Sequence, residues 1–157
     1  MTLSAFLALL LFVQAPASLS APERFFIGTT EGQGSVHIIL SGRHAVRHRG
    51  RGRLAADGAL LLEQVVHEEG KPVRRRSWRL VRAGANRFTG TISDARGPVT
   101  GTVTGPVLHL RYRSVEGPSV EQWITVHPNG RAAANRMTFR RFGLRVATVE
   151  ETIRRVD

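Results

Sequence analysis

Asp94 and His109 are the two side chains in the sequence best suited to move a proton during catalysis. Each lies in or directly after a segment that alternates apolar and polar residues, so the two could face each other across strands. A general base also needs a raised pKa and a partner, and the sequence shows no such pairing. Asp94 opens a turn over residues 94–98, where an aspartate often bonds its own backbone. Asp94 and His109 are therefore weak catalytic candidates.

Other catalytic and metal-binding chemistry has less support. The chain has no cysteine, which excludes disulfides, thiolate metal sites and thiol catalysis. It has no Gly-x-Ser-x-Gly, Walker loop or His-Glu-x-x-His motif. His44 and His48 are four residues apart, but in a strand their Cα atoms would lie about 13 Å apart, too far for one metal ion. We therefore predict no metal and no cofactor.

Arginine gives the chain its strongly basic character. The formal charge is +11, and Lys71 is the single lysine. Such a charge indicates an anionic partner, or it reflects arginine placed at exposed positions by a G+C-rich genome. The candidates for contact with an anionic membrane surface are Arg47, Arg49, Arg51, Arg74, Arg75 and Arg76. The Arg-Gly-Arg-Gly-Arg run faintly resembles RNA-binding repeats, but the predicted leader described below argues against nucleic acid as a partner.

Aromatic and amide side chains provide the candidates for ligand binding. Large aromatic side chains combine apolar area with a polar group, so they serve either as core anchors or as the lining of a ligand cavity. A buried asparagine needs partners for its amide, which a ligand or the barrel mouth could supply. The ligand-binding candidates are Trp78, Asp94, Tyr112, Trp123 and Asn135.

Turn residues divide the chain from Arg24 onward into short segments that must position these side chains. Asp57-Gly58 and Asn129-Gly130 are the strongest hairpin signals. Several of the segments alternate apolar and polar residues, which is typical of strands with one buried face. Glycines such as Gly90 and Gly101 lie inside the segments, where tight barrels need bends. The tail at 146–156 fits a helix or a strand, and we favour a last strand.

The first residues resemble a secretory leader. Ala5 to Val13 is a run of nine apolar residues, well short of the roughly 20 needed to span a bilayer. A small-x-small pattern follows, so we predict a signal peptide over 1–17, with cleavage possible as late as 21. No basic residue precedes the run, and the alternative is a buried N-terminal strand or helix. Residues 18–157 then form a single domain.

The chain from Phe25 to Arg155 resembles domain-of-unknown-function family 3833, lipocalin-like bacterial envelope proteins often labelled putative lipoproteins. The matching stretches are Phe25-Phe26-x-Gly28, Asp57-Gly58, Ser77-Trp78-Arg79-Leu80, Phe88-Thr89-Gly90-Thr91-x-x-Asp94, Gly97-Pro98-Val99-x-Gly101, Leu110-x-Tyr112, Gln122-Trp123, Asn135-Arg136 and Phe142-Gly143. The resemblance implies one calycin-type barrel in the envelope and a loose association with membrane-lipid homeostasis, with no established activity. Many members carry a lipobox cysteine, which this chain lacks, so we expect a periplasmic or secreted protein without a lipid anchor.

We predict an all-β fold, a single antiparallel up-and-down β-barrel of lipocalin or calycin type with about 8–10 strands. The favoured function is binding of a small apolar or amphiphilic ligand, such as a lipid, inside the barrel. The alternative is an interaction protein of the envelope surface that contacts anionic lipids through the arginines. The third hypothesis is an enzyme that acts on a lipid-like substrate with Asp94 or His109. The sequence does not indicate an oligomeric state.

Overall fold

The structure is a computed structural model that describes residues 21–157. The predicted leader at 1–17 therefore lies outside the described residues. A short 3-10 helix at Pro22–Phe26 precedes ten strands. The strands are β1 (Gly28–Ile38), β2 (Gly42–Leu54), β3 (Leu60–Glu68), β4 (Arg74–Gly84), β5 (Arg87–Ile92), β6 (Ala95–Thr104), β7 (Val107–Ser114), β8 (Ser119–Val126), β9 (Ala132–Arg141) and β10 (Leu144–Arg155).

The ten strands form one closed antiparallel barrel in which every strand pairs with its neighbours in sequence, and β1 pairs with β10. Closure leaves no unpaired edge that could join another chain. The predicted all-β up-and-down barrel is confirmed, and the tail at 146–156 belongs to a strand. Within residues 21–157, no helix is long and apolar enough to cross a membrane.

Short turns join the strands, and two of them contain the predicted dipeptides Asp57-Gly58 and Asn129-Gly130. Gly58 and Gly130 adopt φ of 81° and 67°, the left-handed conformation that glycine takes without strain. Asp57 Oδ1 accepts a hydrogen bond from the Ala59 amide at 3.1 Å, and Asn129 Oδ1 accepts one from the Arg131 amide at 2.9 Å. These side-chain caps explain why the two dipeptides fix hairpin turns.

The interior is apolar towards one end of the barrel. Residues of alternate parity point inward, as the sequence pattern predicted, and the most buried of them are aliphatic. Phe25 and Phe26 of the 3-10 helix are buried against this core, so we call this the plugged end. The opposite end carries the β1–β2, β3–β4, β5–β6, β7–β8 and β9–β10 turns. We call it the polar end because the interior side chains on this side of the barrel are polar or charged.

Two strand glycines permit close approach of neighbouring backbones. A Cβ at Gly34 would lie 1.8 Å from the Glu150 carbonyl oxygen, and one at Gly90 would lie 1.9 Å from that of Arg79. Neither distance is possible for a real side chain. Gly34 allows β1 to close against β10, and Gly90 allows β5 to pack against β4. The sequence predicted bends at strand glycines such as Gly90, whereas the contact at Gly90 is a close approach of two backbones.

Candidate functional site

Arg76 is the centre of a polar cluster inside the barrel. It lies on β4, two residues before the inward-facing Trp78, and the strand alternation turns its side chain inward as well. The guanidinium is buried, with Nε 2.7 Å from Asp94 Oδ2, and Nη2 donates to Asp94 Oδ1 at 3.1 Å and to Tyr112 Oη at 3.2 Å. It also lies 5.3 Å from the centre of the Trp78 ring. These contacts keep a buried cation paired, which it requires.

A second set of polar contacts links side chains of β8, β9, β10 and β2. Gln122 Nε2 donates to Asn135 Oδ1 at 2.9 Å, and Asn135 Nδ2 donates to Glu151 Oε2 at 2.6 Å. The other carboxylate oxygen of Glu151 lies 3.6 Å from His48 Nε2. His48 can reach across β1 because a Cβ at position 32 would be 2.1 Å from that nitrogen, and Gly32 has none. The sequence therefore places β2, β8, β9 and β10 side chains in one network.

The two groups border a small enclosed space that we call the polar chamber. Its volume is about 30 Å³, and its polar lining residues are His48, Gln64, Arg74, Arg76, Trp78, Gln122, Asn135 and Glu151. Four buried lining atoms lack a hydrogen bond: Gln64 Oε1, Gln122 Oε1, Trp78 Nε1 and Arg76 Nε. Arg76 Nε has the Asp94 carboxylate at 2.7 Å, so the other three are without any polar partner. Buried polar atoms are normally paired with protein or water. A space of this size holds one or two water molecules, or one polar group of a ligand.

Charged residues stand between the chamber and the polar end. Glu68 receives a hydrogen bond from His44 at 2.7 Å, and Lys71 Nζ lies 2.9 Å from the same carboxylate. Burial would raise the pKa of Glu68, but these two partners outweigh it and the pKa is lowered. Arg74 lies 3.2 Å from Asp94 and 3.8 Å from Glu68, so its half-exposed side chain bridges the two carboxylates. Among residues 21–157, no group of three or more histidine or acidic side chains is arranged to hold a metal ion.

Protonation of His48 is opposed by its surroundings. Burial lowers the pKa of His48 below its usual value, which Glu151 offsets in part and Arg76 reinforces. His48 is therefore neutral near pH 7, and one of its ring nitrogens can accept a hydrogen bond. Gln64 Nε2 lies 3.5 Å from His48 Nδ1 and is the donor in position for it.

We expect the free energy of unfolding to fall as the pH is lowered through about 6.5, the value for an unfolded histidine. The unfolded chain then binds the His48 proton while the folded chain does not, so the stability is complete above this pH and decreases below it. Each such histidine contributes at most about 1.4 kcal/mol per pH unit. Urea unfolding of the protein and of His48→Gln over this range measures the effect.

In His48→Gln the free energy of unfolding should fall less steeply with pH, because the His48 contribution is gone. Some decrease should remain, because burial also lowers the pKa of His109. His37→Gln is the matched control, since His37 is exposed on the outer face of β1, and it should keep the original slope. Equal slopes for His48→Gln and the unchanged protein would contradict the prediction.

The structure brings four of the five ligand-binding candidates together. Trp78, Asp94, Tyr112 and Asn135 all lie at or beside the polar chamber. Trp123 does not, because its neighbours Gln122 and Ile124 point inward and turn it to the outer face of β8. There its ring stacks on His109, with ring centres 4.7 Å apart. Trp123 is therefore removed from the set of interior candidates.

The two catalytic candidates lie on opposite sides of the barrel wall. Asp94 points to the interior and is held by Arg74 and Arg76, with no hydrogen bond from its own turn. His109 is on the outer face of β7, opposite Trp123. The contact across strands that the sequence allowed between Asp94 and His109 does not occur, so the structure shows no acid–base pair at these positions.

Of the six arginines proposed for an anionic surface, four point outward from the barrel and two face its interior. Arg47, Arg49 and Arg51 point outward from β2, and Arg75 points outward from β4. Arg47 borders an open groove of about 720 Å³ on the outer face. Arg76 is buried and Arg74 faces the interior carboxylates, so both leave the proposed surface set. For the remaining four, contact with an anionic surface stays a prediction.

Four members of the site were not among the predicted site residues: His48, Gln64, Gln122 and Glu151. A signal for two of them was present, because Gln122 shares the parity of Val120 and Ile124, and Glu151 that of Val149 and Ile153. A polar residue on the apolar face of a strand indicates a buried polar site. His48 and Gln64 follow the same rule on β2 and β3.

Comparisons with known proteins agree on the fold. A solved structure described as an S-type phycobiliprotein lyase from Guillardia theta superimposes with a TM-score of 0.68 at 12% sequence identity. The alignment covers 87% of this chain and 93% of the lyase. At this identity the likeness concerns the barrel alone. No match was found among curated proteins. A family profile described as protein of unknown function (DUF3833) matches residues 14–155. The chain therefore belongs to the DUF3833 family.

Proposed function

We propose that the protein binds a small amphiphilic ligand, such as a lipid, whose uncharged polar group enters the polar chamber. The observation that supports this proposal is the presence, apart from the ion-paired Arg76, of three buried polar atoms without partners around one enclosed space. Trp78 Nε1 is a donor, whereas Gln64 Oε1 and Gln122 Oε1 are acceptors. A hydroxyl or amide group supplies both roles, and a purely apolar ligand would leave all three atoms unpaired.

The charges around the chamber favour an uncharged polar group. Arg76 is paired with Asp94, and Arg74 bridges Asp94 and Glu68. Glu151 accepts from Asn135 beside a neutral His48. Each formal charge therefore has a partner within the protein, so a charged ligand would compete with an ion pair that exists already.

The remainder of the ligand must extend towards the polar end. The chamber accommodates only the polar group, and the aliphatic core closes the interior on the side of the plugged end. Arg74 is the half-exposed member of the ion pairs above the chamber, so its outward rotation opens the path with the least loss of packing. Small barrels of the lipocalin type are wide enough to hold one small ligand.

The test uses Trp78 as an internal reporter. In the Trp123→Phe variant, Trp78 is the single tryptophan and lies at the chamber. Monoolein, which combines hydroxyl groups with an acyl chain, should change its emission saturably, and dodecane and oleate should do so much less. Adding Gln64→Leu removes one acceptor and should weaken monoolein binding roughly tenfold, the effect of one hydrogen bond. Gln33→Leu, on the outer face of β1, is the matched control and should not change it.

A second measurement covers other amphiphiles. Protein purified from its own cells is extracted with organic solvent, and the extract is examined by mass spectrometry. The absence of any small molecule, together with no response of Trp78 to monoolein, would overturn the proposal.

We also propose that the protein is exported from the cytoplasm, because residues 1–17 have the pattern of a secretory leader. Fractionation of the same cells should recover it from the periplasm or the medium with this segment removed. Recovery from the cytosol with the segment retained would contradict the exported location.

A further inference from the structure

The exposed apolar side chains are concentrated at one end of the barrel. Within residues 21–157, eight large apolar residues are exposed, and two of them, Leu54 and Val156, lie at the plugged end. The other six lie on turns of the polar end or next to them: Ile39, Leu40, Val73, Val115, Phe142 and Leu144. Scattered apolar residues on a surface need no explanation, but a cluster at one pole indicates an interaction site.

Four of the six belong to two adjacent hairpins. The β1–β2 turn carries Ile39 and Leu40, the β9–β10 turn carries Phe142, and Leu144 is the first residue of β10. The turns are neighbours because β1 pairs with β10, and the Ile39 amide donates to the Val146 carbonyl at 3.0 Å. Leu40 is 100% exposed and Phe142 is 96% exposed. We call these four residues the apolar tip.

Two of the four residues of the apolar tip have an unfavourable backbone conformation. Leu40 and Phe142 have φ of 67° and 51°, and they are the sole non-glycine residues with positive φ in the described part of the chain. Glycine or asparagine would fit both positions with less strain and greater solubility. A bulky apolar residue that is both strained and fully exposed contributes nothing to the packing of the barrel. It therefore indicates contact with something outside the protein.

Arginines surround the apolar tip. Arg43 follows the first turn, Arg140 and Arg141 precede the second, and Arg145 follows it. Neither 39–43 nor 140–145 contains an acidic residue. Among residues 21–157, Arg43, Arg141 and Arg145 form no ion pair, and Arg140 lies 3.8 Å from Glu121. The tip is thus an apolar projection flanked by four arginines of its own two hairpins, with Glu69 and Glu116 on the neighbouring turns.

We propose that the apolar tip inserts into the surface of an anionic lipid bilayer, with the surrounding arginines on the headgroups. Apolar side chains that enter the acyl boundary beside basic residues are the pattern of a peripheral membrane contact. A second copy of the chain is a poorer occupant, because it would bring the same four arginines against the first set. This surface is separate from the polar chamber, so the proposal does not depend on ligand binding.

The experiment measures sedimentation with phosphatidylcholine vesicles prepared with and without phosphatidylglycerol, at low salt. The protein should bind the anionic vesicles and lose binding as salt is added. The double variant Leu40→Asn/Phe142→Asn should bind at least roughly a hundredfold more weakly, since two large apolar side chains no longer enter the bilayer. Asparagine accepts positive φ, so the variant should fold.

The matched control is Leu54→Asn/Val156→Asn, which removes two exposed apolar residues from the plugged end and should bind as the original does. The tryptophan emission of a Phe142→Trp variant should be quenched by brominated lipid in the anionic vesicles. Absence of vesicle binding, or equal binding by the tip variant, would overturn the proposal. A change in oligomeric state between the protein and the tip variant without vesicles would instead assign the tip to self-association and overturn it too.

Discussion

Arg76→Ala is expected to lower the free energy of unfolding by about 3 kcal/mol, the lower end of the range for breaking a buried ion pair. The loss leaves Asp94 and Tyr112 without their shared donor and exposes Trp78 to an empty space. Asp94 is partly exposed, so solvent relieves some of the cost. Burial raises the pKa of Tyr112, so its phenol stays neutral and adds no second negative charge beside Asp94.

Denaturant unfolding measures this prediction, with Arg75→Ala as its control. Arg75 is the next residue on the same strand and points outward, so its replacement should change stability by no more than about 0.5 kcal/mol. If the two variants were equally stable, the role of Arg76 as the centre of the interior cluster would be wrong. Arg76→Ala should also alter the emission of Trp78, whereas Arg75→Ala should not.

Phe26→Ala is expected to cost about 3–5 kcal/mol, the usual range for truncation of a buried aromatic residue. Phe26 is 1% exposed, packs edge-on against Phe25 at 5.3 Å and lies 6.1 Å from Trp78. It also borders the polar chamber, so its removal leaves a cavity that extends from the chamber into the plugged end. The barrel cannot collapse into this cavity, because its strands are fixed by closure.

The matched control is Phe142→Ala, the same replacement at an exposed residue of the opposite end, which should be nearly neutral. Urea unfolding of both variants gives the comparison. A small apolar molecule such as benzene should partly restore the stability of Phe26→Ala, because an apolar cavity binds such molecules. Similar losses for the two variants would show that the 3-10 helix does not close the barrel.

The fold was predictable because its determinants are local. Alternation within segments such as 107–114 and 119–126 assigns the inward face of a strand without knowledge of its neighbours. Dipeptides such as Asp57-Gly58 fix the turns, and closure follows from the need to cover edges. The number of strands and the plugging by Phe25 and Phe26 depend on how distant segments pack, which no local pattern reports.

The site was predictable only in part, for the same reason. Trp78, Tyr112 and Asn135 could be selected because each is on the apolar side of its own strand. Their partners were not selected, because the contact of Asn135 with Glu151, or of Arg76 with Asp94, depends on the register between strands. Trp123 was misplaced because its residue type was given more weight than its parity with Glu121 and Thr125.

The pairing of β1 with β10 has a consequence for the order of folding. Every other pairing joins neighbours in sequence, so those hairpins close short loops at small entropic cost. The seam joins the two ends of the domain, with the Thr29 amide bonded to the Asp157 carboxylate at 2.7 Å. Chain entropy opposes this contact most, so the seam is expected to form last during folding. Before that step the chain is a curled ribbon with two free edges, the form in which it is most open to association with other chains.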